Sequence, residues 1–216
     1  MKQFIVTVAH SKGGSKKSTT AWHLANGLRQ SKYAKGRDVV IVDVDVQQTI
    51  SIVNDIRESS SKFKEFRVLK AHSVSHLLSI FEIHNNDIIV CDTGGFDKDI
   101  NRVAIERADK LVVPLMASIH DVLGLTMFQS IVSEINASIE VNALLVGVHH
   151  KQTNFDDIEK IIEANENATL LKAKILSKNS NYKTMEIGLS VYDTNDELCK
   201  RYDEVLDELT DNTASD

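Results

Sequence analysis

Phe4 to Val8 is a short run of apolar, β-prone residues that empties into His10-Ser11-Lys12-Gly13-Gly14-Ser15-Lys16-Lys17-Ser18-Thr19-Thr20. Behind that loop, Ala21, Leu24, Ala25 and Leu28 recur at helical spacing. Strand, small-residue loop and helix in this order make a phosphate-binding loop credible. Gly13 and Gly14 let the backbone come close to a ligand. The helix start behind them offers unpaired N–H groups and the positive end of a dipole. Lys17 would reach the outer phosphates, and the Ser18 hydroxyl would hold Mg²⁺. The plain alternative is a lysine-rich surface turn.

The rest of the chain repeats the alternation. Val39 to Val42 is a continuous apolar run, as expected of a strand covered on both faces. It ends in Asp43-Val44-Asp45-Val46-Gln47-Gln48, two acids at alternate positions that either serve a site or cap the next helix. Ser51 to Ser61 reads as a helix fading into a polar turn, and Phe66 to Leu69 as a short strand. Val74, Leu77, Leu78 and Phe81 have helical spacing. Ile88 to Cys91 leads to Asp92-Thr93-Gly94-Gly95. An apolar strand ending in an acid is how a nucleotide-hydrolysing site presents a carboxylate to Mg²⁺ through water. Val141 to Val148 is a further buried strand. His72 and His76 lie one helical turn apart, but no Cys, Asp or Glu nearby completes a metal site.

Strand–helix alternation predicts an α/β fold: a mainly parallel twisted sheet with helices on both faces. Residues 1–210 are expected to form a single domain and 211–216 a frayed tail. The formal net charge of -6 argues against a chain that coats nucleic acid over its whole surface, though not against a local basic patch. Two cysteines, Cys91 and Cys199, make no disulfide framework, and no apolar run is long enough to span a bilayer. A strand that starts almost at Met1 leaves no room for a signal peptide. A cytoplasmic location is expected.

The loop departs from the common pattern G-x-x-x-x-G-K-S/T, because Ser11 and Lys16 occupy the two glycine positions. It resembles the deviant form K-G-G-x-G-K-S/T-T of the ParA/MinD group of ATPases, through Lys12, Gly13, Gly14, Lys17, Ser18 and Thr19. Lys16 stands where that group carries glycine. Asp43, Asp45 and Gln47 match its L-I-D-x-D-P-Q segment, with Val46 in place of proline. Ala108, Asp109, Pro114, Ser118, Asp121 and Gly124 match A-D-x-V-L-I-P-V-x-P-S-x-x-D-x-x-G. Tyr182, Gly188, Ser190 and Val191 resemble a segment that precedes the group's final helix. The likeness covers nearly the whole chain and implies a P-loop NTPase-like fold.

The resemblance also implies a site. Lys12, Gly13, Gly14, Ser15, Lys16, Lys17, Ser18, Thr19 and Pro114 would contact ATP. Ser18, Asp43 and Asp92 would serve Mg²⁺. Lys12, Lys17 and Asp45 would be catalytic, with Asp45 acting on the attacking water and Lys12 crossing to the phosphates of a second copy. A small ParA-type protein would form an ATP-bound homodimer, bind DNA without regard to sequence, and release it when a centromere-binding partner stimulates hydrolysis. That activity would place it on the nucleoid and would partition a plasmid or chromosome.

The DNA surface is the least explicit feature. Lys172, Lys174, Lys178 and Lys183 share an acid-free span, with Lys62, Lys64, Arg67 and Lys70 in reserve. The alternative is a solvated lysine-rich face. Near the end of the chain, Leu198, Tyr202, Val205, Leu206 and Leu209 form an apolar helical stripe opposite a mainly acidic face. An acidic face is repelled by anionic lipid, so the helix is expected to pack on the domain and no membrane partner is expected. That weakens a MinD-like membrane role. A nitrogenase-iron-protein-like reductase needs bridging cysteines that Cys91 and Cys199 do not supply. The remaining rival is an ATP-binding adaptor or regulator in which Lys16 has cost turnover.

Overall fold

A computed structural model describes residues 2–60, 63, 65–95 and 98–210. The elements run β1 (Phe4–Val8), α1 (Lys17–Gln30), β2 (Val39–Asp43), α2 (Thr49–Ser59), β3 (Arg67–Lys70) and α3 (Val74–Ile83). They continue with β4 (Ile88–Asp92), α4 (Asp99–Glu106), β5 (Lys110–Met116), α5 (Ile119–Ile135), β6 (Val141–Val148) and α6 (Asp156–Glu163). Two short strands, β7 (Ala168–Leu170) and β8 (Ile175–Leu176), precede α7 (Ser180–Glu186) and α8 (Leu198–Thr210). The strand order is β3-β2-β4-β1-β5-β6-β7, with β8 also beside β6. Every pairing is parallel.

Side chains alternate across the sheet with period two, and each face is buried. Val6, Val8, Ile41, Val90, Val112 and Leu144 point to the face covered by α1, α2, α7 and α8. Ile5, Val42, Ile89 and Cys91 meet α3 and α4 on the other face, where Val113, Leu115 and Leu145 meet α5 and α6. This double coverage explains the continuous apolar runs of β2, β4 and β6.

Pro114 sits in the interior strand β5 without breaking it. It has the parity of Val112, whose carbonyl accepts from Ala9 N–H at 3.1 Å. The missing Pro114 N–H therefore falls on the β1 side, beyond the end of β1 at Val8.

Helix α8 packs on α1 and β8 with Leu198, Tyr202, Val205, Leu206 and Leu209 buried, which places the final stripe against the domain as expected. The tail predicted at 211–216 lies outside the described residues. Among the described residues no helix is long and apolar enough to cross a membrane. Buried Arg57 on α2 makes a two-pronged ion pair with Asp193, at 2.7 and 2.9 Å. Gly188 has φ +73°, and a Cβ there would meet the Arg57 backbone nitrogen at 2.4 Å. The 188–193 segment is thus fastened closely to α2, the helix that follows the Asp43/Asp45 loop.

Candidate nucleotide site

In a parallel sheet, the carboxyl ends of neighbouring strands open on one edge. β2, β4 and β1 are adjacent, and their ends are level: Val8 pairs with Asp92, and Asp43 pairs with Asp92. Val44 N–H donates to the Asp92 carbonyl at 2.9 Å, and the Thr93 hydroxyl donates to the Val8 carbonyl at 3.1 Å. The phosphate-type loop, the Asp43/Asp45 loop and the Asp92–Gly95 loop are therefore held side by side.

They surround a cleft of about 330 Å³ lined by Gly13 to Thr19, Asp45 and Gly95 among others. Gly14 has φ +77°, a conformation that glycine adopts freely. Lys17 opens α1 and is 7% exposed. Its Nζ donates to the Lys12 carbonyl at 3.1 Å and lies 3.5 Å from the Ser15 hydroxyl. Burial lowers its pKa, while the charges of Asp92 and Asp45 raise it. The ammonium is thus held between the loop and the two acids.

Asp92 is fully buried, and burial pushes its pKa up to about 8. The Ser18 hydroxyl draws that value down, yet neither Asp92 oxygen has a well-formed hydrogen bond. Asp43 is also buried; its Oδ2 accepts from Ser51 N–H at 3.0 Å and from the Ser51 hydroxyl at 2.8 Å. Asp43 thereby caps the first turn of α2, the structural role that sequence left open. Its Oδ1 lacks a well-formed bond, and burial raises its pKa. Asp45 is half-exposed at the cleft, its Oδ1 accepting from Gln47 N–H at 3.0 Å.

Buried acceptors are normally satisfied, so these three oxygens make a demand the protein alone does not meet. A divalent cation with its waters fits that demand, because Mg²⁺ keeps several waters and uses few protein carboxylates. Ser18, Asp43 and Asp92 are the residues that would serve it. No cluster of three or more His, Cys, Asp or Glu side chains forms a self-contained metal site among the described residues. His72 and His76 stand 6.3 Å apart by ring centroid on the surface.

Two of the residues expected to contact nucleotide do not line this cleft. Pro114, expected beside the nucleotide, is buried in β5 and does not line the cleft; its position is explained by the strand. Lys12 does not project into the cleft either. Its ammonium forms an ion pair with Asp121 in the first turn of α5. The Ser118 hydroxyl caps that turn by accepting from Asp121 N–H at 3.2 Å. His10 Nδ1 accepts from Lys12 N–H at 3.1 Å. Burial first, then Lys17, lowers the His10 pKa to about 4. Sequence matched Asp121 to a motif but carried no signal that it faces Lys12.

The lysine-rich span is acid-free in sequence and not in space. Lys178 is paired with Glu197, and Glu208 of α8 accepts from Lys172 N–H at 2.8 Å and Ala173 N–H at 2.7 Å. Lys174 lies 4.9 Å over the Phe155 ring, and Lys183 is exposed. In the reserve patch, Arg67 meets Asp38 at 3.4 Å, and Lys62 and Lys64 lie outside the described residues.

A parallel α/β sheet with a lysine-bearing loop and three strand-end carboxylates defines a P-loop nucleotide-binding protein. Two family models match in overlapping stretches, one described as an AAA domain over residues 3–90 and one as ATPase MipZ over residues 56–140. Each covers less than half of the chain; together with the deviant loop they make the chain similar to the ParA/MinD group of P-loop ATPases. No curated protein matches it in sequence. The fold is shared with apo McdA from Cyanothece, at TM-score 0.72 and 16% identity over 96% of this chain and 99% of that one. It is also shared with a Borrelia burgdorferi protein designated a plasmid partition protein and bound to AMPPNP, at TM-score 0.71 and 18% identity over 98% and 100%. MinD from Pyrococcus horikoshii with Mg-ADP gives TM-score 0.69 and 12% identity over 98% of each chain.

Proposed function

We propose that this chain is an ATP-dependent DNA partition ATPase that closes into a homodimer on ATP, binds DNA without sequence preference, and releases it on partner-stimulated hydrolysis. The observation that carries the nucleotide part is the set of unsatisfied buried oxygens on Asp43 and Asp92, paired at the strand ends, with the charge of Asp92 acting on Lys17. Lys17 and the backbone of residues 13–19 bind the phosphates, and Ser18, Asp43 and Asp92 serve Mg²⁺, which supplies charge neutralisation there. Asp45, free of the buried hydrogen bonds that hold Asp43, orients the attacking water.

Dimer closure draws support from α5. Ile119, Leu123 and Met127 lie one helical turn apart and are 53%, 54% and 75% exposed. This apolar stripe begins beside the Lys12–Asp121 pair. A second copy would cover it, and Lys12 would leave Asp121 for the partner's phosphates. The likeness to a Borrelia protein designated for plasmid partition supports the DNA role.

One observation favours a second reading, an ATP-binding adaptor or regulator with weak or no hydrolysis: a lysine occupies the loop position where this family carries glycine. Sedimentation with a slowly hydrolysed ATP analogue tests closure. Wild type is expected to dimerise and Lys12→Ala to remain monomeric; identical monomers would remove the dimer model. Phosphate release with ATP, DNA and a candidate centromere-binding partner separates the readings. Release from wild type supports the partition ATPase, whereas ATP binding without release, restored by Lys16→Gly, supports the adaptor.

A further inference from the structure

Lys16 adopts φ 68° and ψ 26°, a left-handed backbone that disfavours any residue with a Cβ and is free for glycine. Lys16 makes no side-chain capping bond to α1, although its carbonyl accepts from Thr20 N–H at 2.9 Å. Its ammonium instead lies 4.5 Å from the centroid of the Tyr182 ring. Lys16 itself lines the cleft and Tyr182 does not, so the contact draws this ammonium toward α7.

Tyr182 is a firm anchor. The neighbouring Asn181 carbonyl accepts from His23 Nε2 at 2.9 Å, and its side-chain oxygen accepts from the Tyr202 hydroxyl at 3.0 Å. His23 and Tyr202 are fully buried on α1 and α8. A weak cation–π contact on a rigid platform can therefore fix a strained turn that the loop would otherwise leave.

We propose that Lys16 is a positioning residue for nucleotide binding: clamped on Tyr182, it holds the loop in the left-handed turn and makes no phosphate contact of its own. The inference rests on the nucleotide reading above. Without the clamp, an alanine at this position relaxes out of the turn, only a fraction of the protein is competent, and apparent affinity falls by that fraction. A glycine needs no clamp.

Calorimetric titration with Mg-ATP tests this, using wild type, Lys16→Ala, Lys16→Gly, Tyr182→Leu, Tyr182→Phe and the Lys16→Ala/Tyr182→Leu double variant. Lys16→Ala and Tyr182→Leu are each expected to weaken binding about fivefold. The double variant is expected to be no weaker than either, because one contact is lost only once. Lys16→Gly should bind tighter than Lys16→Ala, and Tyr182→Phe tighter than Tyr182→Leu. If the ammonium touches phosphate instead, Lys16→Gly will be as weak as Lys16→Ala and Tyr182→Leu will bind as wild type or better. That pattern would overturn the clamp while leaving the nucleotide site in place.

Amide hydrogen exchange over residues 12–19 without nucleotide is the second readout. Exchange should quicken in Lys16→Ala and Tyr182→Leu relative to Lys16→Gly, and equal rates in all variants would overturn the clamp. Absence of ATP binding by wild type would overturn the nucleotide reading, and the clamp's purpose with it.

Discussion

The strand-end cleft and the lysine-rich span 172–183 both concentrate charge, but they treat it in opposite ways. Lys17 lines the cleft and is buried, as are Asp43 and Asp92 at the neighbouring strand ends, and three carboxylate oxygens of these two acids lack well-formed hydrogen bonds. Leaving a buried acceptor unsatisfied costs on the order of 1–3 kcal/mol, and packing alone gives no reason to keep three on one strand edge. On the span, Lys178 is paired with Glu197, and Lys174 rests on Phe155. Unmet buried polarity points to a ligand, whereas solvated and partly paired lysines do not by themselves. The case for nucleotide is therefore structural, and the case for DNA rests more on family likeness.

The contrast can be broken first at Asp45. As the half-exposed acid of the cleft, it is assigned to chemistry rather than binding. Asp45→Ala is expected to slow phosphate release by about 100-fold or more, the scale of a lost general base, and to trap the ATP-bound dimer. Stopped-flow phosphate release beside an ATP titration checks it. An equal drop in affinity would move Asp45 into the Mg²⁺ shell.

A smaller effect is expected on the lysine span. Lys172→Glu with Lys174→Glu should weaken ATP-dependent DNA retention about tenfold at low salt, through lost counterion release, and leave ATP affinity alone. Glu197→Gln should strengthen retention about twofold by freeing Lys178, since exposed ion pairs are weak. Filter binding across a salt series measures both. Unchanged DNA affinity in the double variant would remove this patch. No retention by wild type with ATP, even at low salt, would leave the adaptor reading.

Much of the fold was legible because buried parallel strands announce themselves as apolar runs. β1, β2, β4 and β6 follow that pattern, and α3 and α8 follow helical spacing. The β3 strand begins one residue later than read, with Phe66 buried just ahead of it. The short elements were not legible. β7 and β8 gain their partners only from β6, and α4 and α6 span about two turns each. The three strand-end acids could be read as a set because each closes or follows an apolar run.

The side-chain destinations could not be read. Lys12 meets Asp121 across 109 positions of sequence, and Lys16 meets Tyr182 on a helix contributed by the other end of the chain. Pro114 shows the converse: a motif match became a strand position whose missing N–H falls beyond the end of β1. Likewise, Glu197 and Glu208 reach the lysine span only through the packing of α8 and its entry.

The central claim is that the three strand-end loops form one Mg-ATP site with Lys17 at its centre. Calorimetric titration of wild type and Lys17→Ala with ATP, with and without Mg²⁺, tests it most directly. Wild type is expected to bind in a Mg²⁺-dependent manner, and Lys17→Ala to bind about 10- to 100-fold more weakly, the scale of a lost charged hydrogen bond. Equal ATP affinity in the two proteins, or binding indifferent to Mg²⁺, would contradict the account.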